Sequence, residues 1–253
     1  MVASGNDFVV TDQVWTGDLA RLTKELCDRK FGIGADGVLL IRKSNKASAL
    51  MRIFNADGSE AEMCGNGARC ATLFLGKKKG SLETKAGIIN TELNGGNVKI
   101  NLTDPKNIKL DIPIRVLNRN LKVNFIDTGV PHAVIFVEGL DEIHVNKIGR
   151  EIRNHSKFAP RGTNVDFVEP LSKDLIAVRT YERGVEDETL ACGTGSVASA
   201  LIFSLKSNAR GRIKVQTKSA EVLKIYFNRR DKKFNDVWLE GTAKIVYKGV
   251  YNV

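Results

Sequence analysis

The sequence predicts an α/β (α+β) protein of two pseudo-symmetric domains, each a curved, mostly antiparallel set of strands wrapped around one central buried helix. Three observations lead to this fold class: an internal repeat, a series of short strand-like segments, and two apolar helical segments that each follow a Cys-Gly-x-Gly motif. Two similar halves within 253 residues are typical of a duplicated structural unit.

The internal repeat is clearest around two of the cysteines. Residues 63–75 (MCGNGARCATLFL) resemble residues 191–203 (ACGTGSVASALIF), which places Cys64 and Cys192 in register at an offset of 128 residues. Three further pairs of segments match in the same order, at offsets between 124 and 133 residues. A constant order at a nearly constant offset predicts two halves with the same fold.

Short segments rich in Val, Ile, Leu and Phe, bounded by turn residues, are predicted to be strands. They cover residues 37–41, 97–102, 123–127, 133–137, 176–181, 212–216, 222–227 and 244–247. Residues 16–28 and 145–153 each have one apolar face, which predicts amphipathic surface helices. Residues 197–205 have almost no polar face, and a helix that is apolar all round is buried.

This pattern is interrupted near residues 111–118, which contain Pro113 and several polar residues. Proline and polar residues between periodic segments are typical of loops. We therefore expect a hinge between the two halves at this point.

Charge and apolar content argue against several classes of function. The formal net charge is +10, but the basic residues are scattered, and the aromatic residues (7%) do not alternate with them, which argues against a nucleic-acid surface. No apolar run approaches the ~18 residues of a membrane span. The N-terminus has no basic region followed by an apolar core, as a signal peptide would. We expect a cytoplasmic protein with neither a nucleic-acid nor a membrane partner.

The four cysteines have different settings. No C-x-x-C pair occurs and the three histidines are dispersed, so no metal site is predicted. Cys27 lies in an amphipathic helix and Cys70 inside the first apolar helix, so both are predicted to be small buried residues. Cys64 and Cys192 instead stand beside glycines at the start of an apolar helix, and the repetition of this setting favours chemistry.

A thiol at a glycine-rich helix start suits proton transfer. The free N–H groups and the helix dipole can hold a carboxylate and lower the pKa of the thiol. If the halves fold together, the two cysteines face each other across a cleft. One thiolate and one thiol could then remove a proton from one face of a carbon and deliver one to the other. No cofactor is required for this chemistry, and none is expected.

The segments that carry these residues resemble the diaminopimelate epimerase family over nearly the whole chain. The matching motifs are GNDFVV, GIGADGVLL, FNADGSEAEMCGNGARC, ETKAG, PHAV, GTNVDFVE, YERGVEDETLACGTGSVASA and GTAKIVYKG. The resemblance implies a diaminopimelate epimerase-like fold and interconversion of LL- and meso-2,6-diaminopimelate, in the synthesis of lysine and peptidoglycan precursors. It also implies a small-molecule amino-acid substrate and allows a homodimer.

The resemblance also implies roles for individual residues. Cys64 and Cys192 would be the two acid/base groups, with His132 and Glu182 orienting the reacting end of the substrate beside them. The substrate-binding positions would be Asn6, Asn55, Gly65, Asn66, Asn164, Glu182, Arg183, Gly193 and Thr194. Two departures stand out: Val130 precedes Pro-His where many members carry Asn, and Gly37 stands where many carry Gln.

The domain boundaries expected from the resemblance let the last strand return to the first half. The N-terminal domain would comprise residues 1–114 and 242–253 and hold Cys64. The C-terminal domain would comprise residues 115–241 and hold Cys192.

Three alternatives remain at this point. A proline or hydroxyproline racemase shares the paired cysteines but normally carries His where this chain has Asn66. An isomerase of the phenazine-biosynthesis type lacks the cysteine pair. A basic, non-enzymatic binding protein would bind nucleic acid in a salt-sensitive manner.

Overall fold

The computed structural model describes residues 1–15 and 17–252, and within them strands predominate over helices. The chain forms two compact units. Unit 1 comprises Met1–Asn101 and Glu240–Val253, and unit 2 comprises Leu102–Leu239. The predicted domains, 1–114 with 242–253 and 115–241, stay a prediction. No helix in the described part of the chain combines the length and apolar character needed to cross a membrane.

Among its described residues, unit 1 contains two helices and eight strands of its own. The helices are α1 (Leu19–Cys27) and α2 (Gly65–Leu75). The strands are β1 (Val2–Ala3), β2 (Asn6–Thr11), β3 (Gly37–Arg42), β4 (Ala49–Asn55), β5 (Glu60–Ala61), β6 (Lys79–Thr84), β7 (Gly87–Asn94) and β8 (Asn97–Asn101).

Unit 2 contains two α-helices and two short 3₁₀ turns. The helices are α3 (Val145–Arg153) and α4 (Gly193–Ser207), and the 3₁₀ turns are Leu140–Glu142 and Ser156–Phe158. The strands are β9 (Lys106–Val116), β10 (Arg119–Asp127), β11 (Pro131–Phe136), β12 (Asn164–Pro170), β13 (Leu175–Glu182), β14 (Asp187–Thr189), β15 (Arg212–Gln216), β16 (Val222–Arg230) and β17 (Lys233–Thr242). The last residues of β17 belong to unit 1.

The strand pairings recur in the same order in the two units. In unit 1, β2 pairs parallel with β3, β3 antiparallel with β4, β4 antiparallel with β5, β4 parallel with β6, and β6 antiparallel with β7. In unit 2, the same types of pairing join β11 to β12, β12 to β13, β13 to β14, β13 to β15, and β15 to β16. The mostly antiparallel strand set predicted for each half is confirmed, and the sequence repeat corresponds to a repeated topology.

The central helices α2 and α4 are the buried elements of their units. Every residue of α4 from Gly195 to Ser204 is buried, as are the residues of α2 from Asn66 to Thr72. Both helices end at a left-handed residue, Gly76 after α2 and Asn208 after α4, which satisfies the geometry of a helix C-terminus. Each cysteine at a helix start is therefore held by an element packed on all sides.

The amphipathic helices lie on the surface, and α1 begins later than predicted. Asp18 caps α1 by accepting the backbone N–H groups of Ala20 and Arg21, which sets its first residue at Leu19. Thr16, within the predicted helix 16–28, lies outside the described residues. Helix α3 spans the predicted residues 145–153.

The hinge expected near residues 111–118 is wrong. Residues 106–116 form β9, which pairs antiparallel with β10, and Pro113 lies opposite Lys122 within this ladder. Leu117 and Asn118 connect the strands with positive φ angles of 48° and 60°, the geometry of a two-residue type I′ hairpin turn. The apolar alternation of Ile112, Ile114 and Val116 outweighs the proline that suggested a break.

The final strand is displaced from its prediction. Residues 233–242 form β17, whereas the predicted strand 244–247 contributes only an isolated bridge between Val2 and Lys244. Asp236 adopts a positive φ of 56° inside β17, and this irregularity breaks the simple alternation expected of a strand. Residues from Glu240 onward belong to unit 1, and the Lys244 bridge is part of it.

Candidate active site

Cys64 is the N-cap residue of α2, and its thiol faces the open end of that helix. The Gly67 N–H lies 3.4 Å from the Cys64 sulfur and donates to it. The thiol also lies 3.9 Å from the Asn6 side-chain oxygen. The structure thus brings together Cys64 and Asn6, two residues that the sequence assigned to the site.

The Asn6 amide is oriented by an ionic cluster on β2 and the loop before β3. Its nitrogen donates to Asp36 at 2.7 Å, and Arg29 binds both Asp36 and Asp7. An ionised carboxylate only accepts hydrogen bonds, so Asp36 selects the amide nitrogen and leaves the Asn6 oxygen toward Cys64. The Arg29 guanidinium contributes to lowering the pKa of Asp7, against the effect of its partial burial.

A buried arginine that the sequence analysis missed supports the start of α2. Arg69 is fully buried, and its guanidinium donates to the Asn66 side-chain oxygen at 2.6 Å, to the Ser4 hydroxyl at 2.6 Å and to the Thr242 carbonyl at 3.0 Å. The Asn66 oxygen is therefore engaged by Arg69. An arginine in a helix usually indicates an exposed face, so no local pattern signalled this role.

The two glycines of each Cys-Gly-x-Gly motif differ in what surrounds them. A Cβ added at Gly65 or Gly193 would make a single ordinary contact, at 3.6 Å and 3.5 Å respectively. A Cβ at Gly67 would lie 3.1 Å from Leu39, and one at Gly195 would lie 2.3 Å from the Asp166 carboxylate. Packing thus requires glycine at 195 and leaves little room for a side chain at 67, whereas the first glycine of each motif leaves room for a ligand to approach the backbone.

Local contacts account for one predicted position, Asn55, and for one departure from the family pattern, Gly37. Asn55, exposed at the end of β4, donates its amide N–H to the Ser59 hydroxyl at 3.0 Å, which is a turn contact. The structure does not bring Asn55 into contact with Cys64. At the departure noted above, Gly37 is required sterically, because a Cβ there would lie 2.5 Å from the Phe54 carbonyl oxygen.

Cys192 is the N-cap residue of α4 and is buried. Its sulfur lies 3.4 Å from the Thr194 hydroxyl. Burial raises the pKa of this thiol well above its ordinary value, and the carboxylates of Glu182 and Asp166 raise it further, against the Thr194 hydroxyl and the Gly195 N–H. The direction of this shift is opposite to the lowered thiol pKa expected from the helix start, and its main causes are desolvation and the two nearby carboxylates.

Three buried polar side chains from neighbouring strands, His132, Asp166 and Thr180, form a hydrogen-bonded group, and Asp166 packs against Gly195 in the first turn of α4. The His132 Nδ1 atom is 2.8 Å from the Asp166 carboxylate, and the Thr180 hydroxyl donates to the other oxygen of Asp166 at 2.8 Å. His132 and Asp166 have no exposed side-chain surface. The sequence identified His132 but assigned no function to Asp166, because an isolated aspartate in a strand carries no local signal of its partners.

Glu182 lies at the end of β13, and its carboxyl interacts electrostatically with His132 and Asp166. Burial raises the pKa of its carboxyl, and Asp166 adds to the rise, while Thr189 and His132 oppose it. The structure therefore places His132, Glu182 and Cys192 close to one another within unit 2, and their roles stay a prediction.

Asn164 holds the ends of three strands together. Its amide nitrogen donates to the Pro131 carbonyl at 3.0 Å, and its oxygen accepts the Arg183 backbone N–H at 2.8 Å. These bonds fix the backbone immediately next to His132 and Glu182. The buried Asn164 side chain thus holds its neighbours in position, and its predicted contact with the substrate stays a prediction.

A glutamate four residues before each cysteine makes the same ionic support in both units. Glu60 forms a two-bond pair with Arg52 and an ion pair with Lys85. Glu188 pairs in the same way with its two basic partners, Arg179 and Lys218. The Arg52 guanidinium holds the pKa of Glu60 down to about 2.

The other two cysteines are buried, as predicted. Burial raises the pKa of Cys27 to about 11 and that of Cys70 to about 12. Both therefore stay protonated and serve as small core residues.

Comparisons with known proteins agree with this fold. A phenazine biosynthesis protein of the PhzF family from Bacillus anthracis superposes with a TM-score of 0.71 at 17% identity, covering 96% of this chain and 92% of that one. A probable proline racemase from Agrobacterium radiobacter superposes with a TM-score of 0.69 at 14% identity, covering 98% and 92%. At these identities the likeness shows the fold alone.

Sequence comparison is more specific. The family model for diaminopimelate epimerase matches residues 1–113 and 124–246. The diaminopimelate epimerase of Aquifex aeolicus is 42% identical over an alignment of 269 positions, gaps included, covering 97% of this chain and 94% of the relative. That of Methanocella arvoryzae is 42% identical over 275, covering 100% and 95%.

These findings define the protein first as an isomerase of the amino-acid epimerase class. Within that class, the chain belongs to the diaminopimelate epimerase family. The non-enzymatic alternative is excluded by this membership, and the racemases and phenazine proteins are relatives by fold only.

Proposed function

We propose that this protein interconverts LL- and meso-2,6-diaminopimelate without a cofactor, using Cys64 and Cys192 as the acid and the base. The observation that carries the proposal is the thiol at the N-cap of a buried helix in each unit. Family membership supports the choice of substrate. A role in lysine and peptidoglycan precursor synthesis, a cytoplasmic location and a homodimer belong to the same proposal.

The helix starts provide groups that suit an amino-acid end. The first glycines of the motifs, Gly65 and Gly193, leave the backbone accessible, and N–H groups at a helix start bind carboxylates. Glu182 can accept hydrogen bonds from an ammonium group, and Arg183 can bind a carboxylate. A substrate with two amino-acid ends needs both kinds of partner.

The proton transfers balance between the two thiols. A thiolate removes the α-proton from one face and becomes a thiol, while the other thiol gives its proton to the opposite face and becomes a thiolate. The raised pKa of Cys192 favours the thiol, so we assign it the acid role when the free enzyme takes up its first substrate. Each turnover then exchanges the two protonation states.

The direct test is incubation of the purified protein with LL-diaminopimelate in deuterated water. We expect deuterium at one α-carbon and formation of the meso isomer, detected by NMR and chiral chromatography. L-Proline serves as the matched comparison and should not exchange. Exchange of L-proline without exchange of diaminopimelate would transfer the assignment to the racemases.

A further inference from the structure

We propose that Asp166 is a positioning residue that sets the tautomer of His132, so that the Nε2 atom of the ring presents a hydrogen-bond acceptor to the substrate. The expected effect on turnover rests on the proposed function. The assignment of the His132 tautomer rests only on the contacts of Asp166.

Both oxygens of the Asp166 carboxylate are engaged inside unit 2. One accepts from the Thr180 hydroxyl at 2.8 Å, directly across the β12–β13 ladder, and the other lies 2.8 Å from His132 Nδ1 on β11. The same carboxylate packs against Gly195, where an added Cβ would come within 2.3 Å of it. Asp166 therefore joins the strand of His132 to the first turn of the Cys192 helix.

The chemistry of the carboxylate decides the state of the ring. An ionised carboxylate has only acceptors, so the Nδ1 atom of His132 carries the proton that lies between them. In the neutral ring the Nε2 atom is then the unprotonated nitrogen. Without Asp166, neither nitrogen would be favoured by this contact.

The Nε2 atom has no partner within the described part of the chain. It is buried and forms no hydrogen bond, and His132 has no exposed surface. Buried polar atoms in native proteins are nearly always paired, so an unpaired acceptor beside the proposed reacting groups indicates that a ligand completes it. An α-ammonium is a donor of the required kind.

The charged groups around the ring are consistent with this assignment. His132 and Asp166 both affect the pKa of Glu182. Glu182 and Asp166 both raise the pKa of Cys192. A change in the Asp166–His132 contact would therefore also change the electrostatic surroundings of Glu182 and Cys192, not only the packing of the strands.

The test begins with the protein labelled with ¹⁵N-histidine at pH 8.5 and without substrate. The chain has three histidines, and the His144→Gln and His155→Gln variants assign the remaining resonance to His132. We expect ring nitrogen shifts of the Nδ1–H tautomer. An Nε2–H tautomer or a doubly protonated ring would overturn the proposal, whether or not diaminopimelate is a substrate.

The Asp166→Asn variant then connects the tautomer to turnover. If the amide oxygen accepts from Thr180, its NH₂ faces Nδ1 and the proton moves to Nε2. We expect this inversion together with a loss in kcat of about 10²- to 10⁴-fold and a smaller change in KM, as for other residues that fix a catalytic histidine. Normal turnover with an inverted tautomer, or lost turnover with an unchanged tautomer, would contradict the assignment.

Thr180→Val is the matched control. It removes the hydroxyl but keeps the carboxylate and the shape of the side chain, so the Nδ1–H tautomer should remain and kcat should fall by less than about 10-fold. A loss equal to that of Asp166→Asn would indicate a purely structural role. If the native protein shows the expected tautomer but does not act on diaminopimelate, the proposed function fails while the positioning of His132 stands.

Discussion

The starts of helices α2 and α4 carry the same motif in different surroundings. Both place a cysteine at the N-cap and a supporting glutamate four residues earlier, paired with an arginine and a lysine. Cys64 is half-buried beside the Asn6 amide, whereas Cys192 is buried close to Glu182 and Asp166. The repeat therefore produces similar backbone twice with different neighbouring side chains, and at Cys192 burial and the two carboxylates raise the pKa of the thiol.

The largest expected effect on activity comes from replacing each of the two cysteines in turn. Cys64→Ala and Cys192→Ala should each lower epimerisation by about 10²- to 10⁴-fold or more, because each loss leaves one face of the carbon without a proton partner. Steady-state assays with both diaminopimelate isomers would measure this. Cys27→Ala is the control and should retain turnover. Near-normal turnover of Cys192→Ala would mean that the second motif is only a structural copy of the first.

A direct titration of the Cys192 thiol would measure how its neighbours affect its pKa. Because the Glu182 carboxylate raises the pKa of this thiol, after burial itself, Glu182→Gln should lower that pKa. The ¹³Cβ shift of labelled cysteine, followed from pH 7 to pH 11, reports the change. Glu186→Gln, which removes a carboxylate not among the groups acting on Cys192, is the matched control. An unchanged titration in Glu182→Gln would show that the Glu182 carboxylate does not contribute to the raised pKa of Cys192.

The smallest expected effect concerns the shared glutamate support. The pKa of Glu60 is lowered from 4.5 to about 2, so its stabilising contribution is complete above pH 4.5 and is lost as the pH falls toward 2. Because Arg52 and Lys85 are partly exposed, Glu60→Gln should cost only about 1 kcal/mol of unfolding free energy at pH 7, and less at pH 2.5. Urea unfolding at the two pH values measures this difference.

The equivalent change in unit 2 provides the control for that measurement. Burial raises the pKa of Glu188, but its bonds to Arg179 and Lys218 outweigh this, and the net shift is downward. Its side chain is 8% exposed against 16% for Glu60. The downward pKa shift is nevertheless large only for Glu60, so by the same linkage we expect Glu188→Gln to lose less stability at pH 7 than Glu60→Gln. An equal or larger loss would mean that the difference in burial outweighs the difference in pKa shift.

Local sequence predicted the elements that depend on short-range pattern. The repeat around Cys64 and Cys192, the apolar helix that follows each cysteine and the burial of Cys27 and Cys70 were all readable, because periodicity and glycine context act over a few residues. The hairpin of β9 and β10 and the true position of β17 were not. Pro113 and Asp236 disturb the pattern there, and strand pairing with distant segments restores it.

What the sequence by itself determined was the fold class, the duplicated topology and the two helix-start thiols. Only the tertiary structure decided the electrostatics around them. The side chains of Asp166 and His132 are in contact although they are 34 residues apart in the sequence. Arg69 donates a hydrogen bond to the Thr242 carbonyl, 173 residues away. The charge state of a buried group depends on its solvation and on such distant partners, which no local pattern encodes. For the same reason, the raised pKa of Cys192 opposes the value that its helix-start motif predicted.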